Sequence, residues 1–201
     1  MSKVEIITTL QMIKDLEDKE YMFSMISYNI APTIYKDKPS SIISFSKNNK
    51  NLYDLWQKYG EEFLQYFNIK AFHIKDTGDT HTVLFYKEDK LQTNLFKKEH
   101  INFLNEFGYK NYMSIEEHLL LLKSRYEISC PHEIGIFLGI PLSDVICFME
   151  SSKKPCLMCG YWKVYHNLKE AVKTFKNYDE AKIKALKTIK EEVDIHAWDK
   201  G

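Results

Sequence analysis

The feature that most constrains the fold is a predicted β-hairpin near the middle of the chain. Residues 71–75 and 82–86 both have the length of a short strand, and the second run, Thr-Val-Leu-Phe-Tyr, is β-branched and aromatic. Between them, Thr-Gly-Asp-Thr at residues 77–80 supplies the residues of a tight turn. Because an isolated hairpin is marginal in water, it needs further strands or covering helices.

The patterns around this hairpin predict the fold class. Residues 41–45 and 160–165 are two further candidate strands, whereas helical spacing covers most of the remaining chain. The length of 201 residues is enough for one hydrophobic core. We therefore predict a single α+β domain over residues 1–201, in which a small mixed sheet of three to four strands, including the hairpin, is covered by several helices.

Local signals indicate where several helices begin and end. Ser114 opens a capping box that predicts a helix to about residue 126. Pro131 predicts the start of a helix over residues 131–139 with Cys130 at its cap. Pro141 predicts the start of another helix over residues 141–150. The other helical patterns lie at residues 10–16, 22–30, 51–67, 88–96, 99–107 and 167–193.

Composition argues against several classes of protein. The 28 basic and 28 acidic residues balance, and Arg125 is the single arginine, so a nucleic-acid binder is not expected. Residues 133–145 imitate a helix-turn-helix, but the segment 142–150 has two acids and no base, so DNA would repel it. No apolar run reaches the ~20 residues of a membrane helix, and the first residues lack the apolar core of a signal peptide. We expect a cytoplasmic protein with reduced thiols.

Two short cysteine clusters are the candidate functional motifs. Cys130 and His132 form one, and Cys156 and Cys159 form the other. Together they offer a Cys₃His set, which suits tetrahedral zinc first and iron second. In this hypothesis Glu133 orients His132. The alternative is purely structural: Cys130 caps a helix, and the other two cysteines are turn residues that face the core.

The same residues allow three further hypotheses. Cys130 could act as a nucleophile in a thiol-dependent enzyme or redox protein, with His132 as base and Glu133 as its orienting partner. A Cys-Pro pair also occurs where thiolate binds haem, and Tyr161 and Trp162 could wall a planar small-molecule ligand. The last hypothesis is a metal-free interaction protein whose cysteines only pack. Whether the protein is an enzyme is left open by the sequence.

Two motifs give the chain a family resemblance. Pro-His-Glu at residues 131–133 and Leu-Gly-Ile-Pro at 138–141 resemble the motifs of DUF3793, a bacterial family of unknown function. This chain has Ile140 where the family usually has tyrosine. The Lys-Pro-Ser stretch at 38–40 and the stretch 159–165 are also similar to the family. The resemblance implies a bacterial origin, typically in anaerobes, and no established activity, so the chemistry rests on the residues themselves.

Overall fold

The computed structural model describes residues 1–48, 50–151 and 153–198, with side chains through residue 192. These residues form ten helices and five strands. The strands are β1 (Ser40–Ser46), β2 (Lys70–Asp76), β3 (Thr80–Tyr86), β4 (Met158–Cys159) and β5 (Lys163–Val164). The helices are α1 (Lys3–Lys14), α2 (Asp18–Asn29), α3 (Ala31–Tyr35), α4 (Leu52–Phe67), α5 (Glu88–Leu95), α6 (Lys98–Asn105), α7 (Ile115–Ile128), α8 (Ile134–Phe137), α9 (Leu142–Glu150) and α10 (Leu168–Trp198). None of the described helices has a stretch long and apolar enough to cross a membrane.

The main sheet has the strand order β1-β3-β2, and both pairings are antiparallel. The predicted hairpin is β2–β3, and its turn works as the sequence suggests. Gly78 adopts a φ of +81° that favours glycine, and its N–H donates to Asp76 Oδ1 at 2.7 Å. The α+β class is confirmed, while the pairing is antiparallel where a mixed sheet was expected. Strands β4 and β5 form a separate two-stranded hairpin.

The central strand β3 is buried along nearly its whole length because its side chains alternate between two cores. Val83 and Phe85 enter a core formed with α1, α2, α4 and α10, which we call the α4-side core. Leu84 and Tyr86 enter a core formed with helices α5 through α9, which we call the α7-side core. The sheet therefore has helices on both faces, and its strands can be strongly apolar.

The predicted capping box at the start of α7 is confirmed. The Ser114 hydroxyl accepts a hydrogen bond from the N–H of Glu117 at 3.2 Å, and the Glu117 carboxylate accepts one from the N–H of Ser114 at 2.7 Å. The same reciprocal pair, Ser2 and Glu5, opens α1. These bonds satisfy N–H groups that a helix start leaves without intrahelical partners.

The helix predicted over residues 131–139 is much shorter in the structure. Helix α8 spans only Ile134–Phe137, and Cys130 lies before the turn that leads into it, so Cys130 is not its cap. The N–H of Ile134 donates to Pro131 O at 3.2 Å, and the N–H of Gly135 donates to His132 O at 3.1 Å. Each of these bonds joins residues three apart in the chain, as in a tight turn, whereas the bonds of an α-helix join residues four apart. Cys130 and the first residues of this turn, Pro131 and His132, form the segment that we call the 130–132 turn, and this segment positions the candidate site.

Candidate ligand-binding site

A cavity of about 250 Å³ opens beside the 130–132 turn. The turn, helices α8 and α9, and the β4–β5 hairpin surround it. We call it the main cavity; its described lining residues are Cys130, Pro131, His132, Ile134, Gly135, Leu138, Ile140, Asp144, Val145, Phe148, Tyr161, Trp162 and Lys163. Cys130 and His132 of the first cysteine cluster thus meet Tyr161 and Trp162, which follow the second cluster, at one place.

The lining divides into an apolar part and a polar part. The apolar part consists of aliphatic side chains of α8, α9 and the loop between them, and of three aromatic side chains: Phe148, Tyr161 and Trp162. His132 meets the Phe148 ring edge to face, with 5.3 Å between the ring centroids and 79° between the ring planes. An apolar lining with a few polar groups is the usual composition of a small-molecule site.

Asp144 of α9 holds the β4–β5 hairpin against the cavity. Its side chain is only 1% exposed. Oδ2 accepts a hydrogen bond from Trp162 Nε1 at 2.8 Å, and Oδ1 accepts from the backbone N–H groups of Tyr165 at 3.0 Å and His166 at 2.9 Å. The His166 Nδ1 atom lies 3.2 Å from the same oxygen. A buried carboxylate is stable only with such partners, so Asp144 and the hairpin order each other.

Sequence reasoning missed this role of Asp144. It had counted Asp144 only as an acid that would repel DNA. The sequence did contain a signal, because Asp144 stands among the apolar residues of α9. An acid in such a place indicates a buried carboxylate, and a buried carboxylate needs hydrogen-bond donors from elsewhere in the fold. Its partners lie some 20 residues later in the chain, and no spacing rule connects them to α9.

Glu133 has other partners than the one predicted. It is 1% exposed and forms an ion pair with Arg125 Nε, while the Tyr109 hydroxyl donates to its Oε1 at 3.3 Å. No hydrogen bond to His132 is found for it among the described residues. The turn directs the Glu133 side chain into the α7-side core, where burial and then the nearby carboxylate raise the pKa of Tyr109. Glu133 therefore anchors the 130–132 turn to α7.

A second cavity of about 300 Å³ lies on the other side of the 130–132 turn. Cys130 and His132 line both cavities, so the turn is the partition between them. Arg125 and Glu133 also line the second cavity, where they face each other as an ion pair. Cys130 lies close to Tyr126. The pKa of Tyr126 is raised first by burial and second by the neighbouring Cys130 thiol. Cys130 itself is exposed.

The four predicted metal ligands are divided between two places. Cys130 and His132 line the main cavity, whereas Cys156 and Cys159 are not among its lining residues. Cys159 belongs to β4, where it pairs with Lys163 in an antiparallel register, and is not a turn residue facing the core. In the described part of the chain, no three side chains of His, Cys, Asp or Glu are grouped so that they could hold a metal ion. The structure brings Cys130 and His132 together with Tyr161 and Trp162 instead.

The Leu138–Pro141 motif packs against the Lys38–Ser40 stretch. Gly139 has a φ of +76°, and a Cβ atom there would lie 2.7 Å from Cδ of Pro39. The Ser40 hydroxyl donates to Phe137 O at 2.7 Å. Burial lowers the pKa of Lys38 to about 7, and its amine donates to Ser40 O. The motifs that carried the family resemblance therefore join the cavity floor to strand β1.

Several histidines of the chain are buried. His81, His100 and His118 are all less than 10% exposed. His118 Nδ1 is 2.8 Å from Ser114 O, and its ring stacks on Tyr109. Cys147 is buried as well, because it is 3% exposed. None of these residues lines the main cavity.

Comparison with protein families assigns the chain. The family model described as "Protein of unknown function (DUF3793)" matches residues 26–197. The chain therefore belongs to the DUF3793 family, as its motifs indicated. No curated protein and no solved structure matches it. Ile140 of the Leu-Gly-Ile-Pro motif lines the main cavity.

Proposed function

We propose that this protein binds a small organic molecule in the main cavity. The observation that carries the proposal is the convergence of Cys130, His132, Tyr161 and Trp162 on one largely apolar cavity. Small-molecule sites commonly measure roughly 300–1,000 Å³, so a cavity of about 250 Å³ favours a compact ligand over one as large as haem. This was the ligand-binding alternative among the functions that the sequence predicted.

The arrangement supports a ligand with an apolar body. Phe148 and Trp162 offer aromatic surface. Trp162 is itself fixed by its hydrogen bond to Asp144 and by an edge-to-face contact with Phe175, whose ring centroid lies 4.5 Å from that of Trp162. A side chain that is already held in place loses little entropy when a ligand binds. Cys130 and His132 add polar atoms that can orient the ligand.

The test is a binding experiment with a variant that fills the cavity. We would screen small aromatic and branched aliphatic compounds by ligand-observed NMR and measure affinities by calorimetry. Ile140→Trp places a larger side chain in the lining and should weaken binding by at least about tenfold. Ile146→Trp is the matched control, because Ile146 lies on α9, is 37% exposed and does not line the cavity. Equal binding by both variants, each folded by circular dichroism, would refute the proposal.

Transition-metal binding and thiol chemistry remain predictions. Elemental analysis of protein purified anaerobically, beside a Cys156→Ser/Cys159→Ser variant, tests the zinc or iron hypothesis. One equivalent that is lost in the variant would support it. Selective alkylation of Cys130 at neutral pH, weakened by His132→Gln, would support the thiol hypothesis. A cytoplasmic location, with no nucleic-acid or membrane partner, also remains an expectation.

A further inference from the structure

Strand β1 lies at an edge of the main sheet, because the described strands pair it with β3 alone. We infer that β1 pairs with β1 of a second copy of this chain in antiparallel orientation, so that two three-stranded sheets join into one continuous sheet. This interface goes beyond ligand binding and does not depend on the main cavity. It rests on the direction of the backbone groups of β1 and on the difference between the two edges of the sheet.

The hydrogen bonds at the two ends of the β1–β3 pairing show which backbone groups of β1 point outward. At one end, the Lys47 N–H donates to Asp79 O at 3.1 Å. At the other end, the Lys87 N–H donates to Pro39 O at 3.4 Å, and both bonds continue the register of the two strands. Hydrogen-bonded pairs alternate along an antiparallel ladder. The odd-numbered residues of β1 therefore bond to β3, and the even-numbered ones direct their N–H and C=O groups to the edge.

Three of the outward-facing residues have free backbone groups: Ile42, Ser44 and Ser46. Among the residues that the structure describes, none forms a hydrogen bond with the N–H or C=O groups of these three. Ser40 differs, because the Lys38 amine donates to its carbonyl oxygen and its side chain is fully buried. The free edge therefore begins at Ile42 and continues to the end of β1.

The two edges of the sheet differ in their protection against pairing. Residues 42–46 of β1, Ile-Ile-Ser-Phe-Ser, contain no charge and no proline, and their register with β3 is unbroken. The opposite edge, β2, has exposed charged side chains at Lys70, Lys75 and Asp76. Its register also shifts at a bulge between His73 and Lys75. Charges and bulges are common means of keeping an edge from pairing, so β1 is the edge that can receive another strand.

A two-fold axis at Ser44 gives the pairing that uses all of the free groups. In this register Ser44 lies opposite Ser44 of the partner subunit, and Ile42 lies opposite Ser46 of the partner subunit. Their N–H and C=O groups face one another, so the ladder needs no group that the chain already uses. An axis one residue earlier would instead pair Ser46 of the partner subunit with Ser40, whose carbonyl the Lys38 amine occupies.

The side chains of β1 fit the same register. On the face of the α4-side core, the half-buried Ile43 lies directly opposite Phe45 of the partner subunit, and such aliphatic–aromatic pairs stabilise antiparallel strands. The backbone groups alone would accept any extended strand. A second β1 matches in length, in its lack of charge and in the positions of its apolar side chains. The pairing also closes the assembly, because each end of the joined sheet is then the charged and bulged β2.

The first experiment measures the oligomeric state of the full chain and of charge variants at the axis. Sedimentation velocity from about 1 μM to about 1 mM protein should show a reversible monomer–dimer equilibrium. Ser44 is exposed, and Ser44→Glu or Ser44→Lys would each place like charges opposite one another, which should raise the Kd of the dimer at least about tenfold. An equimolar mixture of the two variants should restore the dimer. Lys75→Glu, at an exposed position of β2, is the matched control and should dimerise as the unmodified chain does.

Hydrogen exchange measured by NMR locates the interface. The amides of Ile42, Ser44 and Ser46 should exchange more slowly as the protein concentration rises, because they are hydrogen-bonded in the dimer and free in the monomer. The amides of Ile43 and Phe45 already bond to β3 and should be protected at every concentration, which makes them an internal control.

Two results would overturn the inference. A monomer over the whole concentration range would show that two β1 edges do not pair, and the edge would then be open to an extended segment of a different protein. A dimer that both Ser44 variants form with unchanged affinity, each folded by circular dichroism, would show that the interface lies elsewhere. Concentration-independent exchange at Ile42, Ser44 and Ser46 in a sample that dimerises would show the same.

Discussion

The α4-side core and the region around the main cavity are held together by different kinds of interaction. In the α4-side core, aromatic rings pack on one another: Phe63 lies 6.1 Å from Phe85 and 6.2 Å from Trp56, measured between ring centroids. Around the cavity, two buried carboxylates, Asp144 and Glu133, hold the surrounding segments through hydrogen bonds and an ion pair. The first region is stabilised mainly by apolar burial, whereas the second adds directional polar contacts to its own apolar packing.

This difference explains how a cavity can persist in a small protein. Apolar side chains relax toward any space that is left between them, so a well-packed core has few voids. Hydrogen bonds and ion pairs fix distances and angles, and here they tie the region of the β4–β5 hairpin to α9 and the 130–132 turn to α7. The polar contacts near the cavity thus set its shape, whereas the α4-side core supplies bulk stability.

The largest effect should come from Asp144→Ala. The substitution leaves the buried N–H groups of Trp162, Tyr165 and His166 without their acceptor, and we expect a loss of about 3–5 kcal/mol of unfolding free energy. Urea denaturation followed by circular dichroism measures it. Binding in the main cavity should be lost at the same time, even at temperatures where the variant is folded.

Asp144→Asn is the control for this prediction. Its amide oxygen can still accept from Tyr165 and His166, whereas its NH₂ group faces the Trp162 N–H. The loss should therefore be smaller, about 1–2 kcal/mol. If Asp144→Ala costs no more than Asp144→Asn, the carboxylate does not organise the hairpin and the contrast between the two regions fails.

Much of the α4-side core and sheet could be predicted from the sequence because their signals are local. The β2–β3 hairpin follows from a glycine turn between two runs of strand length, the second of them strongly apolar, and α4 follows from one apolar helical face. The cavity depends on long-range pairs, which no local pattern contains. Cys130 was expected to cap a helix, but the turn bonds at Pro131 delay that helix to Ile134, and the helix is too short to show a period.

An intermediate effect is expected for Gly139→Ala in the loop that supports the cavity floor. The backbone there has a φ of +76°, and the new Cβ would also meet the rigid ring of Pro39. Strain and overpacking together should cost about 2–3 kcal/mol. Gly78→Ala is the matched control, because its φ of +81° is similar but no atom lies within 4 Å of the added Cβ. Thermal unfolding of both should therefore show a clearly lower midpoint for Gly139→Ala.

The smallest effect concerns a polar pair at the edge of the α4-side core. His73 Nδ1 lies 2.5 Å from His81 Nε2, and their rings pack beside Trp56 and Tyr53. Burial is the first cause that lowers the pKa of both histidines below about 6.5; the charges of His81 and Lys123 also lower that of His73, while Asp76 opposes the shift. The pair can hold one proton between the two rings, but a second would place like charges in contact.

This pair should make the α4-side core sensitive to acid. Because the unfolded chain binds more protons than the folded chain below about pH 6.5, the free energy of unfolding should fall as the pH drops through that range. Each proton taken up contributes at most about 1.4 kcal/mol per pH unit. Urea unfolding at pH 7.5 and pH 5.5 measures the change. A His73→Gln/His81→Gln variant should show a flatter dependence, with the part due to His100, whose pKa burial also lowers, remaining. If the unfolding free energy of the variant depends on pH as steeply as that of the unmodified chain, the pair does not titrate in this range. The stability of the α4-side core would then be independent of pH, as expected for apolar contacts alone.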